Sequence, residues 1–149
     1  NYKIINNSIY KNEPKKQNTK IIFNIDNIKE NKGITSISGY QTLPTHIKRI
    51  SKRSKSKVED SFTFNTKDNK KIRFKLMITS KNQASKQVKT ALRLKSRGLL
   101  NKMAKNTTYN DFVRSVLNFS IQNELKKVNK KVIPVNSVLV KAFSIVNTK

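Results

Sequence analysis

Two neighbouring stretches of the chain alternate between apolar and polar residues with a period of two: SFTFNT (61–66) and KIRFKLMIT (71–79). In the second stretch the apolar residues share one side: Ile72, Phe74, Leu76 and Ile78. Arg73 and Lys75 fall on the other side. Because strand side chains alternate between faces and the polar KDNK (67–70) separates the two stretches, the pattern predicts a β-hairpin.

A helical period follows in the segment 81–105, where Ser85 is suited to the N-cap. Apolar residues lie on one arc of this helix: Val88, Leu92, Leu99 and Met103. Cations lie on a second arc, about 115° from the first at about 100° per residue: Lys86, Lys89, Arg93 and Arg97. Lys95 falls among the apolar residues and Leu100 among the cations, so the separation is incomplete.

This helix has two interpretations. It is either a solvated surface helix, or a helix that buries its apolar arc and presents its cations to a polyanion. Solvated helices usually carry charges of both signs, and no carboxylate lies near these cations in the sequence. The second interpretation is therefore favoured.

Three further strands are predicted from short β-prone runs. IIFNI (21–25) and ITSISGY (34–40) predict a strand pair joined by a turn at 26–33. VLVKAFSIV (138–146) predicts a last strand, preceded by Pro134.

Three shorter helices are predicted from capping signals and periodicity. QTLP (41–44) predicts a helix start, with Thr42 or Leu43 as the cap and proline in the first turn. TYND (108–111) resembles a capping box that opens a second helix. Apolar residues at helical spacing predict a third at 121–128.

Residues 1–20 are polar and predict an N-terminal arm, which is either extended or contains a short strand. The apolar residues for such a strand are Tyr2, Ile4, Ile5, Ile9 and Tyr10, and Pro14 follows as a breaker. Residues 21–149 are predicted to form a single α+β domain. We expect a small, mostly antiparallel sheet or partial barrel with three to four helices.

Charge is the strongest compositional signal. The 149 residues include 33 lysines and arginines against 8 acids, a formal net charge of +25. A compact chain with this charge repels itself and is stabilised by a polyanion, either nucleic acid or an anionic membrane. The cations are spread along the whole chain, which favours a protein embedded in nucleic acid over one with a single docking patch.

The residue types that most catalytic sites require are scarce. The chain has no cysteine, three glycines and one histidine, His46, so it offers no thiolate metal site, Walker loop or His-based triad. Glu59 and Asp60 are adjacent, and in a strand they point to opposite faces. We expect no enzymatic activity, no cofactor and no metal. No apolar run reaches the roughly 18 residues of a membrane span.

The basic run SKRSKSK (51–57) is interpreted as a loop whose serines and lysines clamp phosphates, the alternative being a solvated linker. Together with neighbouring cations it gives the candidate RNA-binding residues: Lys48, Arg49, Lys52, Arg53, Lys55, Lys57, Arg73, Lys75, Lys86, Lys89, Arg93 and Arg97. Phe62, Phe64 and Phe74 are either core residues or a base-stacking platform. Core is favoured, because they alternate in phase with the aliphatic residues of the same face.

Taken together, the segments 48–82, 86–103 and 107–128 resemble the archaeal and eukaryotic small-subunit ribosomal protein family eS-one (S-three-A). The family order is a basic run, a strand, a Thr-Lys-Asp turn, a second strand, a basic helix, and a helix opening with Asn-Asp-Phe. This chain has the turn at 66–68 and the helix opening at 110–112.

Other parts of the chain match or depart from the family. FNI (23–25), YQTL (40–43) and Pro134 fit in order. Asn69 stands where the family usually has glycine, and it also tolerates a left-handed turn conformation. Ile133 replaces an aromatic residue. We also expect a copy shortened at its N-terminus and without the family's long C-terminal tail.

The resemblance implies a structural protein on the platform of the small ribosomal subunit, near the messenger exit. Its implied partners are small-subunit rRNA and neighbouring platform proteins, with initiation factors as further candidates. It implies a cytosolic ribosome in the cytoplasm, with an organellar ribosome as the alternative. Neither membrane association nor a homo-oligomer is expected.

Two rival functions remain open. A nucleoid or regulatory DNA-binding protein would use 109–117 and 121–128 as a helix-turn-helix, but the connection lacks a small turn residue and the second helix does not concentrate charge. A membrane-surface protein would need aromatic residues on its amphipathic helix, and 81–105 has none.

Overall fold

A six-stranded antiparallel sheet forms the centre of the molecule in the computed structural model, which describes residues 2–6, 17–30 and 32–146. The strands are β1 (Tyr2–Asn6), β2 (Thr19–Lys29), β3 (Lys32–Thr42), β4 (Ser56–Asn65), β5 (Lys71–Ser80) and β6 (Val135–Ile145). Their order across the sheet is β1-β2-β3-β6-β5-β4, and the sheet is not closed. The predicted α+β class with a mostly antiparallel sheet is confirmed.

Four helices lie in the described part of the chain: α1 (Pro44–Lys52), α2 (Lys86–Asn106), α3 (Tyr109–Leu117) and α4 (Ser120–Lys130). Ser85 caps α2 as predicted, since its hydroxyl accepts a hydrogen bond from the Val88 N–H. Leu43 precedes α1 at the cap and Pro44 occupies its first turn. Helix α2 packs against β4, and α4 packs against β6 and α2.

An aromatic cluster joins the sheet to the helices. Phe64 and Phe74 are buried on the side of the sheet that faces α2, α3 and α4, and both rings meet Phe112 of α3 edge-on, at centroid distances of 5.3 and 6.0 Å. Phe62 is half-buried beside them, 6.1 Å from the Phe74 ring. The core interpretation of these phenylalanines is therefore confirmed.

The opposite side of the sheet is covered at one end by α1. Met77 alternates with the core residues of β5, so its side chain lies on this second side, where it is completely buried. The Ser51 hydroxyl at the end of α1 contacts the Met77 sulfur at 3.7 Å. Leu139, the partner of Met77 on β6, is buried as well.

The predicted apolar arc of α2 packs against the core, with Leu92 buried and Val88, Leu99 and Met103 partly buried, but the buried face extends beyond this arc. Its buried residues follow a four-residue spacing: Leu92, Ser96, Leu100 and Ala104. Leu100, counted among the cations by periodicity, is completely buried, whereas Lys95 is exposed. The shift arises because α2 packs against α4 as well as the sheet, and the buried Asn129 amide of α4 donates a 2.9 Å hydrogen bond to the Ser96 hydroxyl.

Two predicted loops are shorter than predicted. The turn predicted at 26–33 is shorter, because β2 continues to Lys29 and β3 begins at Lys32. The basic run 51–57 is a loop only at 53–55, because its first two residues complete α1 and its last two begin β4. Ser56 is buried there, and its hydroxyl accepts a hydrogen bond from the Ala84 N–H.

The β4–β5 turn is tied to the start of α3. Asn69 adopts the left-handed conformation, with φ of 56°, which asparagine tolerates. The Asp68 carboxylate accepts a hydrogen bond of 2.8 Å from the Tyr109 N–H, the first residue of α3. Thr108 caps α3 as predicted, but the Asp111 carboxylate accepts from the Thr108 hydroxyl rather than from its backbone.

Part of the predicted N-terminal arm lies in the sheet, since β1 pairs with β2 in antiparallel register. The other residues proposed for a strand there, Ile9 and Tyr10, lie outside the described residues, as does Pro14. The division of the chain at residue 20 stays a prediction.

Candidate nucleic-acid interface

The part of the second sheet side that α1 leaves uncovered is basic. Residues paired in antiparallel register share a face, so Arg73 lies in one row with Thr63 and Ser144, and Lys75 lies in the next row with Ser61 and Ala142. The second row continues through Gln41 to Lys20. We call this surface the open face and define it by these residues: Lys20, Gln41, Ser61, Thr63, Arg73, Lys75, Ala142 and Ser144.

The chemistry of the open face suits a sugar-phosphate backbone. Its three cations, Lys20, Arg73 and Lys75, are exposed, and the residues between them are short or polar. Short side chains let a polymer backbone approach the sheet closely, while hydroxyl groups and cations bind phosphate oxygens. None of the residues that define the open face is aromatic, so it offers no base-stacking platform. This favours recognition of the backbone and shape of a nucleic acid.

Helix α1 borders the open face and adds cations to the same side of the sheet. Lys48, Arg49 and Lys52 are exposed on α1. Arg53 and Lys55 are exposed in the connection to β4, and Lys57 is exposed on β4 itself. Three predicted groups of cations, on α1, on the connection with β4 and on β5, therefore come together around one side of the sheet.

Glu59 places a negative charge on this side of the sheet. Its carboxylate forms ion pairs with Lys141 at 2.9 Å and with Lys57 at 3.5 Å. The hydrogen bond from Lys141 is the largest cause that lowers the pKa of Glu59. Glu59 therefore remains ionised and offsets part of the charge of Lys57, one of the predicted RNA-binding residues.

The α2 cations lie on the other side of the sheet, along the edge strand β4. Arg97 donates two hydrogen bonds to the Asp60 carboxylate, at 2.6 and 2.5 Å, and its guanidinium lies 5.5 Å from the Phe62 ring centre. Arg93 donates through Nε to the Glu59 carbonyl at 3.3 Å. No carboxylate lies near this cationic arc in the sequence, and the fold brings Asp60 to Arg97 from 37 residues away.

The remaining predicted α2 residues differ in exposure, since Lys86 is exposed and Lys89 is half-buried. The twelve predicted residues thus fall into two groups on opposite sides of the sheet. One surrounds the open face and the other follows the β4 edge.

Sequence reasoning missed Lys20 and Lys141. Lys20 lies on β2, which two strands, β3 and β6, separate from the predicted hairpin. Lys141 lies at a register shift between β5 and β6. Neither the strand order nor the shift is visible in a single sequence. A groove of about 550 Å³ between the β4–β5 turn and α2 adds two further cations, Lys67 and Lys105.

His46 on α1 is half-buried, and its Nδ1 atom is buried without a hydrogen-bond partner among the described residues. Burial, with a smaller effect from Arg49, lowers its pKa. The imidazole is therefore neutral at pH 7 and adds nothing to the net charge.

Within the ranges that the structure describes, no group of three or more His, Cys, Asp or Glu side chains is placed to hold a metal ion. None of the described helices combines the length and apolar character needed to cross a bilayer.

Comparison with known proteins finds relatives that align with most of the chain. The small ribosomal subunit protein eS1 of Methanococcus vannielii is 28% identical over 127 residues, which is 85% of this chain and 58% of that protein. The eS1 proteins of Methanocaldococcus jannaschii and Nanoarchaeum equitans are each 27% identical, over 86% and 87% of this chain. The chain spans about 58% of the length of the first two of these relatives and 66% of the third.

The model of the Ribosomal S3Ae family matches residues 5–149, which include all six strands and four helices except the first residues of β1. This is the family that the hairpin, the basic helix and the capped helix α3 resemble in sequence. The chain belongs to the Ribosomal S3Ae family.

Proposed function

We propose that this protein is a structural constituent of the small ribosomal subunit that binds rRNA through the open face and the cations around it. The observation that carries the proposal is the open face itself, an exposed row of cations and short polar side chains with α1 cations at its border. Membership of the Ribosomal S3Ae family supports it. So do relatives that are named small ribosomal subunit proteins.

The mechanism is electrostatic and geometric. Arg73 and Lys75 bind phosphate oxygens from the sheet, and Arg49, Lys52 and Arg53 bind the backbone where it passes α1. A guanidinium can hold a phosphate through two hydrogen bonds, which makes Arg73 the best-placed residue for fixing orientation. Since the open face carries no aromatic side chain for base stacking, specificity arises from RNA shape and from neighbouring proteins more than from base reading.

We further propose that the protein lies on the platform of the small subunit, near the messenger exit. Other platform proteins and initiation factors are the proposed neighbours there, in a cytosolic ribosome. We propose that the protein is monomeric before assembly, has no enzymatic activity and does not bind membranes.

The DNA-binding rival is less well supported by the fold. Helix α4 would be the recognition helix, but it buries Ile121, Gln122, Leu125 and Asn129 against its neighbours. Its cations, such as Lys127 and Lys130, are few compared with those on the opposite side of the sheet. A recognition helix needs an exposed face that fits the major groove. Comparison of affinity for duplex DNA and for folded rRNA tests this rival.

Sedimentation of the native protein tests the proposal directly. A lysate is separated on a sucrose gradient, and the protein is detected across the fractions at low and at high salt. We expect co-sedimentation with the small subunit that persists at high salt. Release at high salt would indicate a peripheral or assembly factor, and sedimentation at the top or with chromatin would contradict the proposal.

A further inference from the structure

The β2–β3 hairpin extends beyond the rest of the sheet. Strand β1 pairs with β2 only as far as Asn24, and β6 pairs with β3 only at 39–41. The segments 25–29 and 32–36 therefore form a two-stranded projection, which we call the outer ribbon, and its residues are exposed. Three isoleucines on it are exposed to 37%, 70% and 49%: Ile25, Ile28 and Ile34.

A β-bulge brings two of these isoleucines to one face. Ile25 pairs with Thr35 and Ile28 pairs with Gly33, and the register shifts between them, so both lie on the same face as Gly33. A Cβ on Gly33 would lie 3.7 Å from Cγ2 of Ile25, which confirms that the two residues adjoin. Because Gly33 has no side chain, the surface between the isoleucines stays open.

This face continues the core. Alternation along β2 puts Ile25 on the same side as Phe23, which is buried in the core cluster. A groove of about 580 Å³ runs between the ribbon and α3, and its apolar lining residues include Ile37, Val113 and Leu117. The rest of the lining is mostly polar and includes Arg114, whose charge is offset by Asp111 at 3.7 Å. The apolar face therefore runs outward from the core, past α3, to isoleucines that no described element covers.

The outer ribbon also differs from the rest of the chain in charge. Between residues 25 and 36 the acids Asp26 and Glu30 balance the lysines Lys29 and Lys32, in a chain whose formal net charge is +25. A neutral apolar surface cannot release counterions from phosphates. Counterion release supplies most of the affinity in nucleic-acid binding. A second copy of the chain is disfavoured because two such cationic proteins repel each other.

We propose that the face formed by Ile25 and Ile28, with the groove beside α3, is a docking surface for an apolar patch on another protein. This inference rests on the proposed function, because the partner is a neighbouring protein of the small subunit. The protein thus has two differentiated surfaces: the open face for rRNA and the outer ribbon for protein.

Site-specific photo-crosslinking tests the proposal in assembled subunits. A benzophenone amino acid replaces Ile28 in the full chain, and purified small subunits that contain the variant are irradiated. A matched variant carries the same group at Thr63 on the open face. We expect the group at position 28 to form an adduct with a protein and the group at position 63 to form an adduct with rRNA.

Each other outcome would overturn either the docking surface alone or both the docking surface and the proposed function. An rRNA adduct at position 28, an adduct with a second copy of the chain, or no adduct while position 63 reacts would overturn the docking surface and leave the proposed function intact. Absence of the unsubstituted chain from small subunits would overturn both.

A binding experiment tests the two surfaces separately and needs no crosslinking reaction. The double variant Ile25→Ser and Ile28→Ser should bind protein-free small-subunit rRNA as the wild type does, within about two-fold. It should compete at least ten-fold less well for small subunits that lack this protein. Leu94→Ser is the control, since Leu94 is 64% exposed on α2, away from the ribbon. Equal losses of affinity for both probes, or no loss for either, would overturn the proposal.

Discussion

The guanidinium of Arg97 on α2 is held by the carboxylate of Asp60 on β4 through two hydrogen bonds of 2.6 and 2.5 Å. The Asp60 side chain is only 7% exposed, whereas that of Arg97 is 44% exposed. This pair fixes the longest helix to the edge strand of the sheet. The pair also engages Arg97, which the sequence analysis predicts to bind RNA. The contact with Asp60 indicates that Arg97 stabilises the fold.

Replacement of Asp60 with asparagine should therefore destabilise the free protein. The substitution removes a bidentate, charge-assisted pair, and because Arg97 is partly solvated we expect a loss of about 1 kcal/mol in the free energy of unfolding. Urea unfolding of the purified protein measures it. Glu124→Gln on the exposed surface of α4 is the matched control, since it removes the same charge. Equal effects of the two substitutions would show that the ion pair contributes nothing specific.

Leu100 and Leu94 provide a second test on the same helix. Leu100 is completely buried and Leu94 is 64% exposed. Leu100→Ala should lower the free energy of unfolding by about 2–5 kcal/mol, because it leaves a cavity between α2 and the core. Leu94→Ala should change it by less than about 0.5 kcal/mol. Comparable losses in chemical denaturation would contradict the orientation of α2.

The case of Leu100 shows where sequence reasoning about this fold succeeds and fails. Alternation in 71–75 predicts strand β5 and its buried face, whereas the alternation ends at Met77, which is buried on the other side of the sheet beside α1. Helix α2 contacts both β4 and α4, so its buried arc is wider than one apolar stripe and includes Ser96. A single sequence contains no direct signal for which two neighbours a helix will have.

Prediction of the candidate site from the sequence is limited in the same way. Arg73 and Lys75 are predictable, because the polar phase of an alternating strand must face away from the core. Lys20 joins them only through the strand order, which places β6 between β3 and β5. The pairing of Arg97 with Asp60 likewise depends on a contact between residues distant in sequence. Local pattern thus predicts which residues are exposed, and topology decides which of them meet.

His46 should make stability depend on pH in the mildly acidic range. Its folded-state pKa is lowered, mainly by burial, below the usual value of 6.5. At a pH between the folded-state pKa and 6.5, the unfolded chain binds more protons than the folded chain. The contribution to stability is therefore fully present above pH 6.5 and is lost as the pH decreases toward the folded-state pKa. His46→Gln should remove this slope.

Two measurements check the role of His46. Because it is the only histidine, its imidazole signals in an NMR titration report the folded-state pKa without assignment ambiguity. Urea unfolding at several pH values, with wild type and His46→Gln compared, reports the slope. A folded-state pKa at or above 6.5, or a slope that persists in the variant, would contradict the prediction.

The salt dependence of rRNA binding should distinguish the open face from other basic surfaces. Each cation that contacts a phosphate adds about 0.7–0.9 to the magnitude of the slope of log K against log salt. The double variant Arg73→Ala and Lys75→Ala should therefore reduce the slope by about 1.4–1.8. Lys127→Ala with Lys130→Ala on α4 removes the same charge from the opposite side of the sheet and should leave the slope nearly unchanged. Because both variants have the same net charge, a similar reduction in both would mean that binding reflects overall charge, and that the open face is not the site of phosphate contact.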